Sequence, residues 1–427
     1  MSKKSHASPP ASTRKTNDLV IGLTGPVGSG CSSMASVLEA EGFKRYKVSD
    51  AIRQELVAMG KKAEKPLENW RKKLQDHGDK RRKERVSYWV DKVAERIRED
   101  KLGDSPIVID GVRNFGEVLA LRETFPNFFL VAICAERQNR WPRVAKDYEG
   151  RQSEFERDDR RDQNEGFDSG QTVQKCVDDA DFVYFNNAQH FVLVRGAERP
   201  DTTKINHDLQ RQLNDFVPLM QGKSDGRAPT PEEVQMAVAY ALSNQSSCLK
   251  RHVGAVITIM HEDRELPISM GYNENPAGVR RCVDNGGCFK DEHMHSWFLA
   301  QGKVYCPQCA AAILEPTEET RCKCGDSLID WLRPTRGMEL CTALHAEERA
   351  VRSLGDRPAK GSKLYVTTFP CFQCARLILD ARIKELVYVE AYPGIEAQKF
   401  LVENGVTVKP FNGFTARAFF RVFRRVS

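Results

Sequence analysis

Two short stretches decide the fold and the chemistry of the C-terminal half of this 427-residue chain: TALHAEERAVRSL at 342–354 and PCFQC at 370–374. The first predicts a helix that begins next to His345, and the second places Cys371 and Cys374 at the N-terminus of another helix. One imidazole and two thiolates supply three ligands to a tetrahedral zinc ion and leave its fourth position open for water. The dipole at a helix N-terminus favours the thiolate form that metal binding needs. The spacing therefore predicts a catalytic zinc site.

Glu347 follows the histidine by two residues and is predicted to act beside the open zinc position. From there its carboxylate can take a proton from water and return it to a substrate. His-x-Glu followed by Pro-Cys-x-x-Cys is the signature of zinc nucleobase deaminases, so the pattern predicts hydrolytic deamination. The alternative is a closed, purely structural zinc site, which needs a fourth ligand and leaves Glu347 without a role.

The sequence around this motif predicts a compact α/β/α domain with a cysteine-rich insertion at 282–324. Strand patterns cover 254–260, 364–368 and 385–390, and helix patterns cover 342–354 and 374–381. Two close cysteine pairs in the insertion predict a second, structural zinc site, because four thiolates fill a tetrahedral shell completely. The predicted ligands are Cys306, Cys309, Cys322 and Cys324. Nearby residues that could replace a ligand or form a further site are Cys282, Cys288, His293, His295 and Cys341.

The N-terminal half alternates strands and helices in the order typical of a parallel α/β sheet. Its strand patterns lie at 19–24, 107–111 and 128–134. The first strand leads into GPVGSGCS at 25–32, which follows the phosphate-binding pattern G-x-x-x-x-G-K-S/T except that Cys31 stands where the lysine belongs. Without that charge we expect nucleotide binding rather than phosphoryl transfer. The predicted nucleotide-binding residues are Gly25, Gly28, Gly30, Ser32 and Asp110.

Asp110, at the end of a buried strand, is predicted to associate with the magnesium of a bound nucleotide. Its alternative role is that of an ordinary turn or capping residue. The segment IDGVRN at 109–114 resembles nucleoside-monophosphate kinases. Arg137, Arg140 and Arg143 resemble the phosphate-clamping lid of those enzymes. The resemblance implies a P-loop kinase-like fold for the first half, in which a loop that lacks its lysine senses a nucleotide effector.

Composition sets the remaining boundaries. Residues 1–17 predict a disordered cationic tail, 18–221 the nucleotide-binding domain, 222–231 a linker, and 232–427 the deaminase domain. The longest apolar stretch, 128–135, is too short to span a membrane, and the N-terminal residues lack the apolar core of a secretion signal. These features predict a cytoplasmic protein. Thirteen cysteines, several closely paired, then favour bound metal over disulfides.

Two basic stretches of the sequence have two interpretations each. The run at 61–85 predicts a solvated helical face, and it could alternatively contact nucleic acid. The C-terminal stretch at 411–425 predicts a packing helix, with the same alternative. Its candidate buried residues are Phe419, Phe420 and Phe423, and its candidate solvated residues are Arg421, Arg424 and Arg425.

Two further segments carry a family resemblance. SCLKRHVGAVI at 247–257 and GYNENPAG at 271–278, taken with the zinc motif, resemble deoxycytidylate deaminases. The resemblance implies that Asn273 contacts the sugar of the substrate, although a turn residue before Asn-x-Pro-x-Gly is the alternative. It also implies a mechanism in which water activated by zinc attacks C4 of cytosine and Glu347 protonates N3 and then the leaving amine.

A degenerate P-loop domain joined to such a deaminase resembles the bacterial anti-phage deoxycytidylate deaminases, the AvcD-like family. That resemblance implies conversion of dCTP and dCMP to dUTP and dUMP, which deprives a phage of deoxycytidine nucleotides. It also implies inhibition by a small RNA and assembly into a homo-oligomer. The main alternative is a deaminase that edits cytosine in single-stranded polynucleotides, because those enzymes share the zinc motif. Two further alternatives are a nucleotide- or nucleic-acid-binding switch with a purely structural zinc, and a bifunctional kinase and deaminase.

Overall fold

The chain divides into two units, one formed by residues up to 229 together with 412–427 and the other by residues 230–411. The division falls inside the stretch predicted to be a linker. The computed structural model describes residues 19–60, 70–100, 105–163, 170–187, 191–194, 197–200, 202–222, 227–290, 303–305, 311–315, 317, 320–323, 341–355, 357, 359–390 and 395–423. None of the helices within these ranges is both long and apolar enough to cross a membrane.

The first unit is built on a six-stranded sheet in the order β15-β5-β4-β1-β3-β2. Its strands are β1 (Val20–Thr24), β2 (Lys44–Lys47), β3 (Ile107–Asp110), β4 (Phe128–Cys134), β5 (Phe182–Phe185) and β15 (Gly413–Phe414). Strands β1 to β5 pair in parallel, and β15 runs antiparallel to β5. Strands β1 and β4 are buried along their whole length. Their continuous apolar sequences suit a parallel sheet that is covered on both faces.

Helices surround this sheet, and a separate hairpin follows β5. The helices are α1 (Cys31–Ala40), α2 (Val48–Ala58), α3 (Trp70–Glu84), α4 (Tyr88–Glu99), α5 (Phe115–Thr124), α6 (Arg137–Val144), α7 (Gln152–Gln163), α8 (Val173–Asp178), α9 (Thr202–Met220) and α15 (Ala416–Val422), with a 3-10 turn at Ala145–Tyr148. The hairpin pairs β6 (Phe191–Val194) with β7 (Ala197–Pro200). The predicted parallel α/β sheet is thus present.

The last segment of the chain returns to the first sheet, which differs from the predicted boundary at 232–427. Phe414 is fully buried and lies 5.0 Å from the ring of Phe182. Thr415 donates hydrogen bonds from its N–H to Asp181 O and from its hydroxyl to Ala180 O. Because β5 would otherwise be an edge strand, the C-terminal segment completes a sheet that begins at β1.

Two predictions about charged and aromatic side chains in the first unit need correction. In the predicted packing helix, Phe420 is 76% exposed, whereas Arg421 donates to Phe128 O and lies over the ring of Phe129. The basic run is more than a solvated face, because Arg82 on α3 is buried and forms an ion pair with buried Glu117. Buried ion pairs of this kind require contacts from distant elements, which local charge patterns do not reveal.

The second unit is built on a five-stranded sheet in the order β14-β13-β12-β8-β9. Its strands are β8 (Gly254–His261), β9 (Arg264–Tyr272), β12 (Lys363–Thr368), β13 (Glu385–Glu390) and β14 (Thr407–Pro410), and a small hairpin pairs β10 (Lys303–Tyr305) with β11 (Ala312–Leu314). Its helices are α10 (Pro231–Ser243), α11 (Cys282–Asn285), α12 (Ala346–Leu354), α13 (Phe372–Asp380) and α14 (Ile395–Glu403). Strands β12, β13 and β14 are parallel, and β8 is antiparallel to both of its neighbours.

Local sequence explains how the helices of the second unit are placed. Thr230 and Glu233 form a capping box at the start of α10, and Pro231 occupies its first position. Helix α12 lies directly on β9 at Gly271, where a Cβ atom would come within 2.3 Å of Ala346 O. The absent side chain therefore lets the helix that follows His345 approach the sheet closely.

Candidate active site

Three donor atoms of the second unit meet at the N-termini of two helices. His345 directly precedes α12, Cys371 directly precedes α13, and Cys374 lies in the first turn of α13. His345 Nδ1 lies 3.2 Å from Cys374 Sγ and 3.4 Å from Cys371 Sγ. One donor atom from each of the three side chains lies within 4.8 Å of the other two. Two sulfurs and one imidazole nitrogen grouped in this way fit a zinc ion.

The hydrogen bonds within this group change the acidity of its members. Those with Cys374 and His345 lower the pKa of the Cys371 thiol to about 4, against the opposing effect of burial. Hydrogen bonds with Cys341 and Cys371 raise the pKa of His345 to about 11. These contacts favour the thiolate form of Cys371, in which cysteine binds a metal, whereas the shared hydrogen bond and burial raise the pKa of Cys374.

Glu347 lies at the same place and is almost completely buried, with 4% of its surface exposed. Burial raises the pKa of its carboxyl group to about 7, against the charge of His345 and a hydrogen bond from Cys374. A carboxyl group with a pKa near the working pH can accept and release a proton with little cost in either direction. The structure thus brings together all four residues that the sequence predicts for catalytic zinc and proton transfer.

Other cysteines of the second unit lie near this group. Burial raises the pKa of Cys282 to about 11, and the charges of Cys248, Cys341 and Cys288 act in the same direction. Cys341 also forms a hydrogen bond with His345, which lowers the pKa of the Cys341 thiol. The sequence singles out Cys282, Cys288 and Cys341 as candidates for a further site, and the structure places Cys288 and Cys341 close enough to Cys282 for their ionisation to raise its pKa.

The predicted structural zinc site falls mostly outside the described residues. Cys306, Cys309 and Cys324 belong to ranges that the structure does not describe, as do His293 and His295. Cys322 is described and buried. The four-cysteine site therefore stays a prediction.

Asn273 is buried and uses both ends of its amide to hold the segment before β8. Its Oδ1 accepts a hydrogen bond of 2.7 Å from Val253 N, and its Nδ2 donates one of 2.9 Å to Arg251 O. Its own N–H donates to Val253 O. The residue thus fixes the loop Arg251–Val253, and its contact with a sugar stays a prediction.

Sequence reasoning missed a second group of polar residues next to the cysteines. Glu390, at the end of β13, accepts a hydrogen bond of 2.7 Å from the hydroxyl of Thr368 and forms an ion pair with Arg251 at 3.2 Å. Glu390 O also accepts a hydrogen bond from Phe369 N. No local motif links these residues, because they are far apart in the sequence. A possible sequence signal is that Thr368 and Glu390 end two neighbouring strands, since polar residues at such ends meet at one edge of a sheet.

The segment 25–32, which the sequence predicts to bind phosphate, contains glycines with positive φ. Gly28 and Gly30 have φ values of 82° and 111°, which favour glycine. Ser32 donates a hydrogen bond of 3.2 Å to Asp110, and Arg45 forms an ion pair of 2.5 Å with the same carboxylate oxygen. Burial and the charge of Asp110 raise the pKa of Cys31 to about 11. Cys31 is therefore neutral at the position where the motif has a lysine.

The arginines that resemble a kinase lid are used within the first unit itself. Arg140 is buried and forms two hydrogen bonds of 2.6 and 2.9 Å with the carboxylate of Asp159. Arg143 donates a hydrogen bond of 2.7 Å to Asn186 O, and Asn186 in turn donates to Ser29 O in the phosphate loop. Arg143 and Asn186 are thus connected by hydrogen bonds to the loop 25–32, and a role of the arginines in clamping phosphate stays a prediction.

Comparison with known proteins agrees with this geometry. Residues 229–390 match a family described as the cytidine and deoxycytidylate deaminase zinc-binding region. The deoxycytidylate deaminase of Enterobacteria phage T4 is 30% identical over 162 residues, which make up 37% of this chain and 76% of the phage protein. The chain belongs to the deoxycytidylate deaminase family. The prediction of a zinc deaminase domain is confirmed.

Of two further relatives, one is matched over only half of its length and the other has no named activity. The deoxycytidylate deaminase of Saccharomyces cerevisiae is 31% identical over 211 residues, which make up 49% of this chain and 50% of the yeast protein. The chain thus spans about half the length of that relative. A UPF0200 protein of Methanothermobacter thermautotrophicus is 32% identical over 153 residues, 34% of this chain and 72% of that protein. Kinase-like character of the first unit stays a prediction.

Proposed function

We propose that this chain hydrolyses the amino group of free deoxycytidine nucleotides, converting dCMP and dCTP to dUMP and dUTP with release of ammonia. One observation carries the proposal: a buried carboxyl group with a pKa near 7 lies beside two cysteines and a histidine that fit zinc. The resemblance of the GYN segment to deoxycytidylate deaminases favours a free nucleotide over a base within a polymer.

The side chains of the second unit would divide the reaction between them. Bound zinc, held by His345, Cys371 and Cys374, would act as a Lewis acid that makes water more acidic. Glu347 takes a proton from the water as it attacks C4 of cytosine, and delivers a proton to N3. The Glu347 carboxylate then takes the proton of the new C4 hydroxyl and gives it to the exocyclic nitrogen, so that the C4–N bond breaks, ammonia leaves and C4 keeps the oxygen as the carbonyl of uracil. Its burial keeps bulk water away from these transfers.

The first test presents dCMP, dCTP, CTP and a cytosine-containing single-stranded oligonucleotide to the zinc-loaded protein in parallel. Ammonia release from the two deoxynucleotides is the expected result, and their relative rates give the preference between mono- and triphosphate. Release from the oligonucleotide alone would replace the proposal with polynucleotide editing. Release from none of the four, with zinc bound, would refute both activities.

We further propose that the first unit binds a nucleotide effector at the loop 25–32 without transferring phosphate. The support is the glycine conformation of the loop together with the neutral Cys31 and the Ser32–Asp110 pair. A filter-binding assay with radiolabelled ATP and dCTP, followed by a search for phosphorylated products, tests the proposal. Saturable binding without product is expected, and phosphoryl transfer would contradict it.

The biological role that we propose is depletion of deoxycytidine nucleotides during phage infection, as the resemblance to anti-phage deaminases implies. A homo-oligomer and an inhibitory small RNA belong to the same proposal. Cells that express the wild-type protein are expected to lose dCTP and to resist phage, whereas cells that express Glu347→Gln keep both dCTP and sensitivity. Equal protection by the wild-type protein and Glu347→Gln would show that phage resistance does not depend on deamination.

A further inference from the structure

A basic segment lies at the edge of the candidate active site. Lys250, Arg251 and His252 follow one another in the loop between α10 and β8. All three residues are exposed, and 43% of the Arg251 side chain is accessible to solvent. The family comparison assigns no role to this segment.

Two hydrogen-bonded connections hold Arg251 next to the metal ligands. On one side, Asn273 binds the carbonyl oxygen of Arg251, and the next residue, Glu274, pairs through its backbone with Leu344, the neighbour of His345. Both backbone hydrogen bonds between Glu274 and Leu344 are present, at 3.1 and 3.0 Å. Arg251 is therefore tied to the strand-like segment that carries the histidine ligand.

The second connection leads to the cysteine ligands. The guanidinium group of Arg251 contacts Glu390, and the other oxygen of that carboxylate accepts the hydroxyl of Thr368. Phe369, which follows Thr368 and precedes Pro370 and Cys371, donates its N–H to Glu390 O. The guanidinium group is thus fixed at the edge of the sheet from which α13 and its two thiols begin.

The chemistry of cytosine determines which part of a nucleotide reaches this edge. In hydrolytic deamination C4 faces the metal, and N3 faces the acid Glu347. N1, which bears the sugar, lies across the ring from C4. The sugar and its 5′-phosphate therefore point away from the buried acid and toward the exposed residues around the site.

We infer that Arg251 binds the 5′-phosphate of the substrate, with Lys250 and His252 adding positive charge beside it. The planar guanidinium group suits phosphate because it can donate two parallel hydrogen bonds. Glu390 orients it for that purpose. The inference rests on the proposed deamination of nucleotides. It makes Arg251 the binding residue for the α-phosphate, which dCMP and dCTP share.

The test compares substrates with and without phosphate. Arg251→Gln is expected to raise KM for dCMP and dCTP, lowering kcat/KM by about 10- to 100-fold, as loss of a charge-assisted hydrogen bond predicts. The affinity for the product dUMP, measured by calorimetry, is expected to fall by the same factor. Turnover of deoxycytidine and affinity for deoxyuridine are expected to stay unchanged.

Two variants serve as controls. Arg352→Gln removes an arginine of the same unit that pairs with Glu348 at 2.7 Å, and it is expected to leave every substrate unaffected. Glu390→Gln keeps the guanidinium group but removes its anchor, so a smaller loss restricted to phosphorylated compounds is expected. Arg251→Lys is expected to recover part of the affinity, because it restores the charge without the planar fork.

Two outcomes would overturn the inference. One is unchanged dUMP affinity in Arg251→Gln, and the other is an equal loss for dCMP and deoxycytidine, which a purely structural role predicts. Failure of the proposed function looks different, because the wild-type protein itself would then release no ammonia from any nucleotide.

Discussion

Each unit carries a sequence motif at the start of a helix, but only the motif of the second unit has every charged residue of its pattern. In the second unit the histidine, both cysteines and the glutamate are present and lie together. In the first unit the loop 25–32 has glycines with positive φ, whereas a neutral thiol, Cys31, stands where the predicted phosphate-binding pattern has a lysine. The two motifs therefore differ in charge, although both lie at the start of a helix.

The acidic residue next to the loop of the first unit has cationic partners of its own. Arg45, on the neighbouring strand β2, neutralises Asp110, and Lys47 lies 3.7 Å from the same oxygen. Arg45 and Lys47 thus contact the carboxylate that the sequence predicts to associate with magnesium. The acidic residue of the second unit differs from Asp110, because burial raises the pKa of Glu347 to about 7, a value suited to proton transfer.

The largest expected effect concerns Glu347. Replacement by Gln keeps the size of the side chain but removes proton transfer, so we expect kcat to fall by about 10²- to 10⁴-fold. Zinc content, measured by atomic absorption, is expected to match the wild-type protein. Substantial residual activity with full zinc occupancy would show that another group moves the protons.

The next effect concerns the strand that completes the first sheet. Phe414→Ala removes a fully buried ring in contact with Phe182, so we expect the free energy of unfolding of the first unit to fall by about 3–5 kcal/mol. Phe420→Ala, at a site 76% exposed, is the matched control with a change within about 0.5 kcal/mol. Urea denaturation followed by hydrogen exchange distinguishes the two units. Equal effects of the two substitutions would contradict the packing described for Phe414.

A smaller effect is expected from restoring the missing charge. Cys31→Lys places a cation next to the phosphate site, and we expect about tenfold tighter binding of ATP. Cys31→Ser is the uncharged control and should bind as the wild-type protein does. Calorimetry with ATP and magnesium measures the difference. The comparison between the two units would fail if the lysine and serine variants bound equally, because the neutral thiol would then not be the limiting feature.

The smallest expected effect concerns the pKa of a carboxyl group, which is shifted in opposite directions in the two units. Burial raises the pKa of Glu347, whereas hydrogen bonds from Tyr88, Arg81 and His77 outweigh burial and lower the pKa of Glu55 from its usual 4.5. A lowered pKa in the folded state stabilises the protein above 4.5, and that stabilisation is lost as the pH falls through the folded-state pKa.

Glu55→Gln is therefore expected to weaken the first unit at pH 7 and to flatten its loss of stability in acid. Urea midpoints measured between pH 3 and pH 7 (about the range of carboxyl titration) give the slope. Glu95→Gln, which removes an exposed carboxyl group paired with Lys92, is expected to leave the slope nearly unchanged. The same slope in wild type and Glu55→Gln would be inconsistent with the hydrogen bonds described.

The sequence predicts those features that depend on local pattern. Continuous apolar runs predict β1 and β4, and the spacing of His345, Cys371 and Cys374 predicts their convergence, because strand and helix geometry bring such residues to one edge of a sheet. Features that depend on distant partners are not predictable in this way. The contact of Arg251 with Glu390 joins residues on separate elements, and the motif at 247–257 that contains Arg251 does not identify Glu390 as its partner.

The return of the C-terminal segment illustrates the same limit. Strand β15 has only two residues, and the helix after it is amphipathic, so the pattern predicts packing without identifying the surface. Arg421 would be assigned to solvent by its charge, but its stem and guanidinium group cover Phe129. Long basic side chains can bury apolar surface, which a pattern of charges does not reveal.

The position of β15 has a consequence for biosynthesis. A ribosome releases the strands β1 to β5 long before it translates Gly413 and Phe414, since the entire deaminase unit is encoded between them. During that interval β5 is an open edge that can pair with other chains. Folding of the first unit is then finished last, although its synthesis starts first. A chain that lacks residues 413–427 would therefore leave β5 as an unpaired strand edge.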